Sequence, residues 1–473
     1  MSKDSRRHNE SSKGGFWNFI DNIEGDKVVW VIVFMLIIIS VLAIFSSTSL
    51  LKEGSKDRMD FIKDHIIVVG VGLGLISVLY NIRKIGVFRV LSQLGFGLSF
   101  LLLLLLDLHV KIPGVLKAEY INGAWRTLSI AGFQVHVFEV VKVSMVLYLA
   151  WALHAFKEDQ EALRKRQKSK YMKLANSFAG SKLDFLSRPF WKRTIYMYLP
   201  ILITCVMVLM GSGSSALFIG AILIAVLLIG GAPFKEIGSA AAIGLGLLLA
   251  IVGLYNATDG KVFPIFERVA TMTTRFEAEY DVDNLKTLRK GSREFYEELD
   301  KIKQPYSAKI AVHEGGITGK GIGGSTQKYV VSNIYGDYMF SFIIEEYGLF
   351  GGILVILLYV SLLARGALIA SKCTNEYAKI AVGGLSVLIT GQAFMHMMVN
   401  TDIGPMTGQT LPLISHGSFA FIVFCIAFGV ILSISRMARK QIQEEEEAAA
   451  PLYEGERDDI QASLDILEQI DEL

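Results

Sequence analysis

Long apolar runs recur along this chain, and each fits a lipid bilayer better than a soluble core. A helix needs about 20 consecutive apolar residues to cross the hydrocarbon layer. On that ruler the sequence predicts spans near 28–50, 62–82, 86–106, 135–155, 194–211, 213–231, 236–256, 337–364, 378–400 and 416–435. The fifth and sixth are one apolar stretch broken at Gly211-Ser212-Gly213-Ser214-Ser215, which reads as a tight turn. Hydrocarbon offers no water to a free backbone N–H or C=O, so such segments must be helical. The expected fold class is an all-α polytopic membrane protein with about ten transmembrane helices. Composition agrees: 52% of the 473 residues are hydrophobic and mean hydropathy is +0.45, which excludes an ordinary soluble globular protein. The first run is too long for a cleaved signal and lacks a small-residue exit.

Lysine and arginine set the expected orientation. Arg83, Lys84 and Arg89 follow the second span, and a basic loop at 157–193 follows the fourth. Arg365 and Lys372 follow the eighth, and Arg436, Arg439 and Lys440 follow the tenth. All fall on one side if both termini are cytoplasmic. The chain then divides into a cytoplasmic tail (1–27), a membrane domain (28–436) and an acidic cytoplasmic tail (437–473). The outer side carries 107–134, 401–415 and a loop at 257–336, which is far longer than a simple connector and of the kind that usually carries function. The basic loop reads as an anchor at the anionic inner leaflet. The acidic tail reads as mostly disordered. Within it Ile460, Leu464, Leu467 and Ile470 keep a helical spacing that suits a short partner-binding helix. A net charge of +2 gives no reason to expect a nucleic-acid partner. Cys205, Cys373 and Cys425 lie far apart and read as free thiols. No P-loop, dinucleotide fingerprint, zinc motif or EF-hand is present, so neither an ATP-driven step nor a resident cofactor is expected.

Polar chemistry concentrates in residues 313–350. A glycine-rich basic loop containing Lys320, Gln327 and Lys328 runs into an apolar helix. Asp337 sits at the junction, and Glu345 and Glu346 lie two turns further in. Carboxylates at or inside a membrane helix are costly and mark candidate functional sites. Asp337 fits two roles equally: a helix N-cap, since Asp before an apolar run is a preferred cap, or a base that takes a proton from a substrate. Glu345 falls on roughly the same face, about 12 Å deeper at ~1.5 Å per residue, and is expected to line the same cavity. Glu346 is expected to point toward a neighbouring helix. The loop's amides with Lys320, Lys328, Lys309 and Arg275 suit phosphate oxygens, although any single lysine reads equally as a solvated one. Glu139 and Lys142, three residues apart in the fourth span, are expected to pair, either beside a cavity or as a strut between helices. Arg126, just outside that span, reads as a phosphate contact or an interface residue. His396 and His416 read as hydrogen-bonded interhelical histidines, and Gly70 and Gly74 as close helix packing. A divalent cation, Mg or Mn, could bridge a carboxylate and an anionic ligand, but no ligand cluster demands one.

Several sequence blocks follow one another in a distinctive order. Asn122-Gly123-Ala124 precedes the helix of Glu139 and Lys142. Ser307-Ala308-Lys309-Ile310-Ala311-Val312 comes next, then Gly315-Gly316-Ile317-Thr318-Gly319-Lys320-Gly321-Ile322-Gly323 and Ser325-Thr326-Gln327-Lys328. Asp337-Tyr338 leads to Glu345-Glu346-Tyr347-Gly348, and Pro405-Met406-Thr407-Gly408-Gln409-Thr410-Leu411-Pro412-Leu413-Ile414-Ser415 precedes the last span. Over most of 28–440 the chain resembles the SEDS proteins (shape, elongation, division and sporulation), the group of FtsW and RodA. Gly25-Asp26-Lys27, Phe45-Ser46-Ser47-Thr48 and Thr407 to Pro412 bring it nearer the FtsW branch, with a RodA-type role as the alternative.

The resemblance implies an enzyme of the bacterial cytoplasmic membrane. It would polymerise lipid II, the undecaprenyl-pyrophosphate-linked disaccharide-pentapeptide, into glycan strands at the outer face. A class B penicillin-binding protein and other division-machinery membrane proteins would be its partners. It would place the family's essential aspartate at Asp337 and make Lys320 the best candidate for neutralising the leaving pyrophosphate. Gln327, Lys328 and Ser415, in matching motifs, would be further substrate contacts. An α-linked donor giving a β-linked product implies one inverting displacement, for which a single carboxylate base suffices. The chain departs from the family pattern at Ala124-Trp125-Arg126, at Val135-His136-Val137-Phe138 before Glu139, at Gly211 to Ser215, at Tyr335-Gly336 before the aspartate, and at Gly417-Ser418-Phe419-Ala420. Two other classes fit the same residues: a lipid II flippase, given the intramembrane charges, and a non-catalytic scaffold of the division machinery, to which the departures add weight.

Overall fold

A computed structural model describes residues 24–48, 58–121, 124–257, 287–290, 292–331, 334–404 and 407–439. Both expected tails beyond these limits, much of the 257–336 loop and Arg275 lie outside the described residues.

Asp26 starts the first helix. Its carboxylate accepts from Val28 N (3.0 Å) and Val29 N (3.2 Å), two of the donors that a helix N-terminus leaves without partners. The helices are α1 (Lys27–Ser47), α2 (Arg58–Tyr80), α3 (Ile85–Asp107), α4 (Val137–Arg164), α5 (Pro189–Gly211), α6 (Gly213–Ile229) and α7 (Phe234–Ala257). They continue as α8 (Arg293–Gly315), α9 (Met339–Lys372), α10 (Glu376–Asn400) and α11 (Ser418–Arg439). Nine of the described helices are long and apolar enough to cross a membrane, and the shorter α6 is apolar throughout. The protein is thus a multi-pass helical membrane protein, with helices where hydropathy places them. Ser212 is the break between α5 and α6, extended at φ −162° and ψ 108°, and its hydroxyl accepts from Ser215 N to cap α6.

The helices α4, α10 and α11 form the enclosed centre, while α7 lies at the margin with few of its residues buried. An apolar groove of about 330 Å³ separates α7 from α5 and α6. Close packing by glycine on α2 occurs at Gly72, where a Cβ would come 2.6 Å from Cys425 Sγ. Gly70 and Gly74 face open space, so the spacing expectation picked the wrong face of this helix.

The basic 157–193 segment is less of a surface anchor than its composition implies. Lys192 and Asp159 form a buried pair at 2.6 Å, and Asn176 donates to the other oxygen of Asp159 at 2.8 Å. Lys157 pairs with Glu376, and Arg193 with Glu236.

Two elements depart from an all-α chain of spans joined by loops. Residues 111–136 form a four-stranded antiparallel sheet in the order β1 (Lys111–Ile112), β2 (Leu116–Ile121), β3 (Ala124–Ile130), β4 (Phe133–His136). It rests on α3, α4 and α5 at the end of the bundle opposite the basic segment. Its register shifts between Glu119 and Tyr120, making Arg126 the extra residue of a β-bulge, a device that re-aims a side chain. The second is α8, which crosses the same end of the molecule and packs against α9.

Candidate active site

Asp337 ends a short helical turn, Ile334–Asp337, and α9 begins immediately after it with Tyr338 as its N-cap. The Tyr338 side chain makes no capping bond. Two residues of α10 satisfy the terminal donors instead. Asn400 Oδ1 accepts from Ser341 N (2.9 Å), and His396 Nε2 lies 3.4 Å from Phe340 N. Asn400 then uses its amide Nδ2 to donate to the Asp337 carbonyl at 3.0 Å. The start of α9 is thus capped by side chains of the next helix. The Asp337 side chain itself is half-buried. On its other side, His416 N donates to Tyr335 O (2.8 Å), and the His416 ring packs against Phe61 at 4.2 Å.

A polar network leads from this turn into the bundle. His396 Nδ1 meets the Gln409 carbonyl at 2.7 Å, and its Nε2 meets Phe340 N of α9, which bears out its reading as an interhelical hydrogen-bonded histidine. The Gln409 side chain accepts from Lys142 Nζ (3.0 Å) and donates to Ser215 Oγ (3.0 Å). Lys142 also donates to Glu139 Oε1 at 2.7 Å and to Gln392. A fully enclosed ammonium is tolerable only with a counter-ion and full hydrogen bonding, and Lys142 has both. Glu139 keeps its second oxygen, Oε2, without a hydrogen-bond partner. Glu139 and Lys142 thus pair as the spacing predicts, and through Gln409 and His396 they connect to the turn that carries Asp337.

The glycine-rich loop has a different construction from the one expected. Within α9, Gly348 breaks the helix at φ 69° and ψ −169°. The carbonyls just before the break turn outward to the loop: Lys320 N donates to Glu345 O (2.9 Å) and Gly321 N to Glu346 O (3.0 Å). Leu349 N donates back to Gly316 O at 3.0 Å. Side chains repeat the stitch. Glu345 accepts from Thr326 N (2.8 Å), Gln327 N (3.3 Å), Ser325 Oγ and Lys320 Nζ (2.9 Å). Glu346 accepts from Gly323 N (3.1 Å) and from Ser46 Oγ (2.7 Å) at the end of α1, as its predicted direction toward a neighbouring helix requires. Burial disfavours the Lys320 ammonium, but hydrogen bonds to the Glu314 and Glu345 carboxylates outweigh it and hold the group above the usual lysine range.

This clasp reassigns several sequence candidates. Glu345 is sealed from solvent and holds the loop, so it does not line open space beside Asp337. The amides of Lys320, Gly321, Gly323, Thr326 and Gln327 bond within the protein and are not directed at an anion. Lys328 is buried and donates to Gly323 O at 2.8 Å. Lys309 forms an exposed pair with Asp402. Ser415 Oγ accepts from Leu411 N at 2.9 Å and closes the turn before α11. Among the described residues no group of three or more His, Cys, Asp or Glu side chains is gathered as cation ligands. Residues not singled out from sequence but central to the geometry are Asn400 and Gln392; Ser46, named there only within a family motif, joins them. They are neutral polar groups in or beside apolar helices, and their intramembrane position is the signal that could have found them.

The family described as "cell cycle protein", comprising FtsW, RodA and SpoVE, has a model that matches residues 26–440. The probable peptidoglycan glycosyltransferase FtsW of Enterococcus hirae is 27% identical over 429 residues, spanning 88% of this chain and 94% of that protein. Stage V sporulation protein E of Bacillus subtilis is 25% identical over 416 residues, spanning 88% of this chain and 98% of that protein. Among solved structures, a chain of a peptidoglycan synthase complex that coordinates polymerization and crosslinking superposes with TM-score 0.54 at 20% identity, covering 88% of this chain and 98% of its own. The rod shape determining protein RodA of Thermus thermophilus gives TM-score 0.50 at 18% identity, with coverage of 88% and 98%. The two structures share the fold of this chain.

Proposed function

The chain belongs to the FtsW, RodA and SpoVE family of cell cycle proteins, and from that premise we propose that it is a bacterial peptidoglycan glycosyltransferase with Asp337 as its general base. The observation that supports the assignment is the position of Asp337 on the turn that opens α9, half-buried and held from α10 by Asn400 on its carbonyl. The orientation set by lysine and arginine puts this turn at the outer face of the cytoplasmic membrane, where a lipid-linked sugar would be met.

The substrate is lipid II. As the acceptor sugar hydroxyl attacks the donor's anomeric carbon, its proton passes to Asp337. A new C–O bond forms, the C–O bond to pyrophosphate breaks with its electron pair, and undecaprenyl pyrophosphate departs. A single base fits this displacement because the leaving group is already an anion and needs no proton. The role of Lys142 and Glu139 is to hold a fixed electrostatic environment behind the turn through Gln409 and His396. A class B penicillin-binding protein is the proposed crosslinking partner, and septal wall synthesis the proposed setting.

Full-length protein in nanodiscs, supplied with lipid II with and without that partner, is expected to yield glycan strands. Asp337→Asn is expected to lower the rate by ~10²–10⁴-fold, the contribution of a positioned base. Strand synthesis by Asp337→Asn at the native rate would overturn the assignment.

A further inference from the structure

The sheet at 111–136 has two faces of opposite character. Its register puts Lys111, Lys117, Ser129 and Gln134 in one row. The next row, Ile112, Leu116, Ile130 and Phe133, points to the other face, because successive strand residues alternate. Ala118, Leu128 and Val135 form a second row on that same apolar face. Where the apolar face lies on the helix ends it is closed, with Ala118 at 6% and Leu128 at 0% exposure. At its free end the corners are open, with Phe133 78% exposed, Ile112 49% and Val115 in the adjoining turn 57%, while Leu116 between them is buried.

A face that rests on the ends of membrane helices looks toward the membrane, so its overhanging end looks toward the adjacent leaflet. The approach to it is apolar as well. Leu101 and Leu104 on α3, and Leu108 just beyond its end, are exposed and lead to β1. Three apolar side chains are too few for a specific protein interface, which needs about 800 Å² per partner. They suit a lipid interface, where a small apolar wedge flanked by lysines is stabilised by burial among acyl chains and by phosphate contacts.

We propose that this end of the sheet is a membrane foot. Ile112, Val115 and Phe133 enter the headgroup region of the leaflet at the Asp337 end of the bundle. Lys111 on the edge strand β1 and Lys117 beside it on β2, both exposed and one row back, reach anionic phospholipid headgroups with their long side chains. The foot fixes the height of the sheet, and with it the start of α4, which follows directly from β4.

The test places an encoded environment-sensitive fluorescent residue at position 133, and separately at 134, in the full chain in nanodiscs of phosphatidylglycerol and phosphatidylcholine. Phe133 and Gln134 point to opposite faces and both are exposed, so either site accepts the probe without disturbing the core. The expected result is several-fold stronger quenching by doxyl-labelled lipid at 133 than at 134, with the reverse for aqueous iodide. Lys111→Glu combined with Lys117→Glu is expected to reduce the lipid quenching at 133, and more so as the phosphatidylglycerol fraction rises. Equal iodide quenching at both positions would overturn the foot. A probe at 133 shielded from both quenchers would also overturn it, since protein rather than lipid would then cover the site. Lipid quenching untouched by the double charge reversal would remove the lysines from the proposal.

Discussion

Asn400 meets the Asp337 turn with both ends of its amide, accepting from Ser341 N and donating to the Asp337 carbonyl. It is fully enclosed, so its loss removes the partner of the buried Ser341 N and one partner of the part-buried Asp337 carbonyl. Asn400→Ala is expected to cost about 1–2 kcal/mol in unfolding free energy, the range of a lost cap. Its kinetic effect should be selective. A displaced base weakens the transition state and leaves ground-state binding alone, so kcat for lipid II polymerisation should fall about tenfold or more with KM little changed. Steady-state kinetics in nanodiscs checks this, and a rise in KM at constant kcat would contradict it. Asp337, Glu139 and Lys142 were legible because a charge inside an apolar run is costly wherever the helix packs. Asn400 was not, because its importance lies in a partner 63 residues away and neutral amides leave little local trace. Glu345 was legible as important but not as to its task, since spacing reports a helix face and not what covers that face.

The clasp between α9 and the glycine-rich loop depends on conformations closed to other residues. Gly348 has φ 69° and ψ −169°, a region almost restricted to glycine, and a Cβ there would sit 2.2 Å from Ile317 O. At Gly319 a Cβ would come 2.3 Å from Glu346 O. Gly348→Ala therefore adds backbone strain of about 1–3 kcal/mol to a clash with backbone that cannot give way. The expected outcome is a lower melting temperature and faster proteolysis of the 316–331 loop. Native stability in that variant would show that the break in α9 is not held by the clasp. Hydropathy read the long helices well because their surroundings demand apolar side chains. It missed the sheet because β1 has two residues and β4 has four, and the bulge opposite Glu119 and Tyr120 interrupts the alternation that marks a strand. It missed α8 because that helix is polar and carries Pro305, a residue that normally argues against a helix interior.

At the scale of the whole molecule, α1 is pinned to α9 at both of its ends. Ser46 donates to Glu346 in the clasp, and some 30 Å away, at ~1.5 Å per residue, Asp26 accepts from Arg365 Nε at 2.9 Å. Asp26 N also donates to Ser435 Oγ (2.8 Å), which brings α11 into the same junction. Two motifs that pointed to the FtsW branch, Gly25-Asp26-Lys27 and Phe45-Ser46-Ser47-Thr48, thus mark the two ends of a strut that spans the bundle. Sequence could align them with a family, but their shared partner became visible only when α9 lay beside α1. Asp26 does two separable things, capping α1 and pairing with Arg365. Asp26→Asn keeps an equally good cap and loses the charge, while Asp26→Ala loses both. Arg365 is partly exposed, so the pair is screened and contributes about 1 kcal/mol or less. The cap adds about 1 kcal/mol. Thermal unfolding in nanodiscs should therefore rank wild type above Asp26→Asn and Asp26→Ala last. Both variants should retain polymerase activity below their melting temperatures, because the junction lies at the end of the bundle remote from Asp337. Equal destabilisation by Asn and Ala would place the whole effect on the ion pair. Loss of activity in folded Asp26→Asn would show that the strut transmits its state to the Asp337 turn.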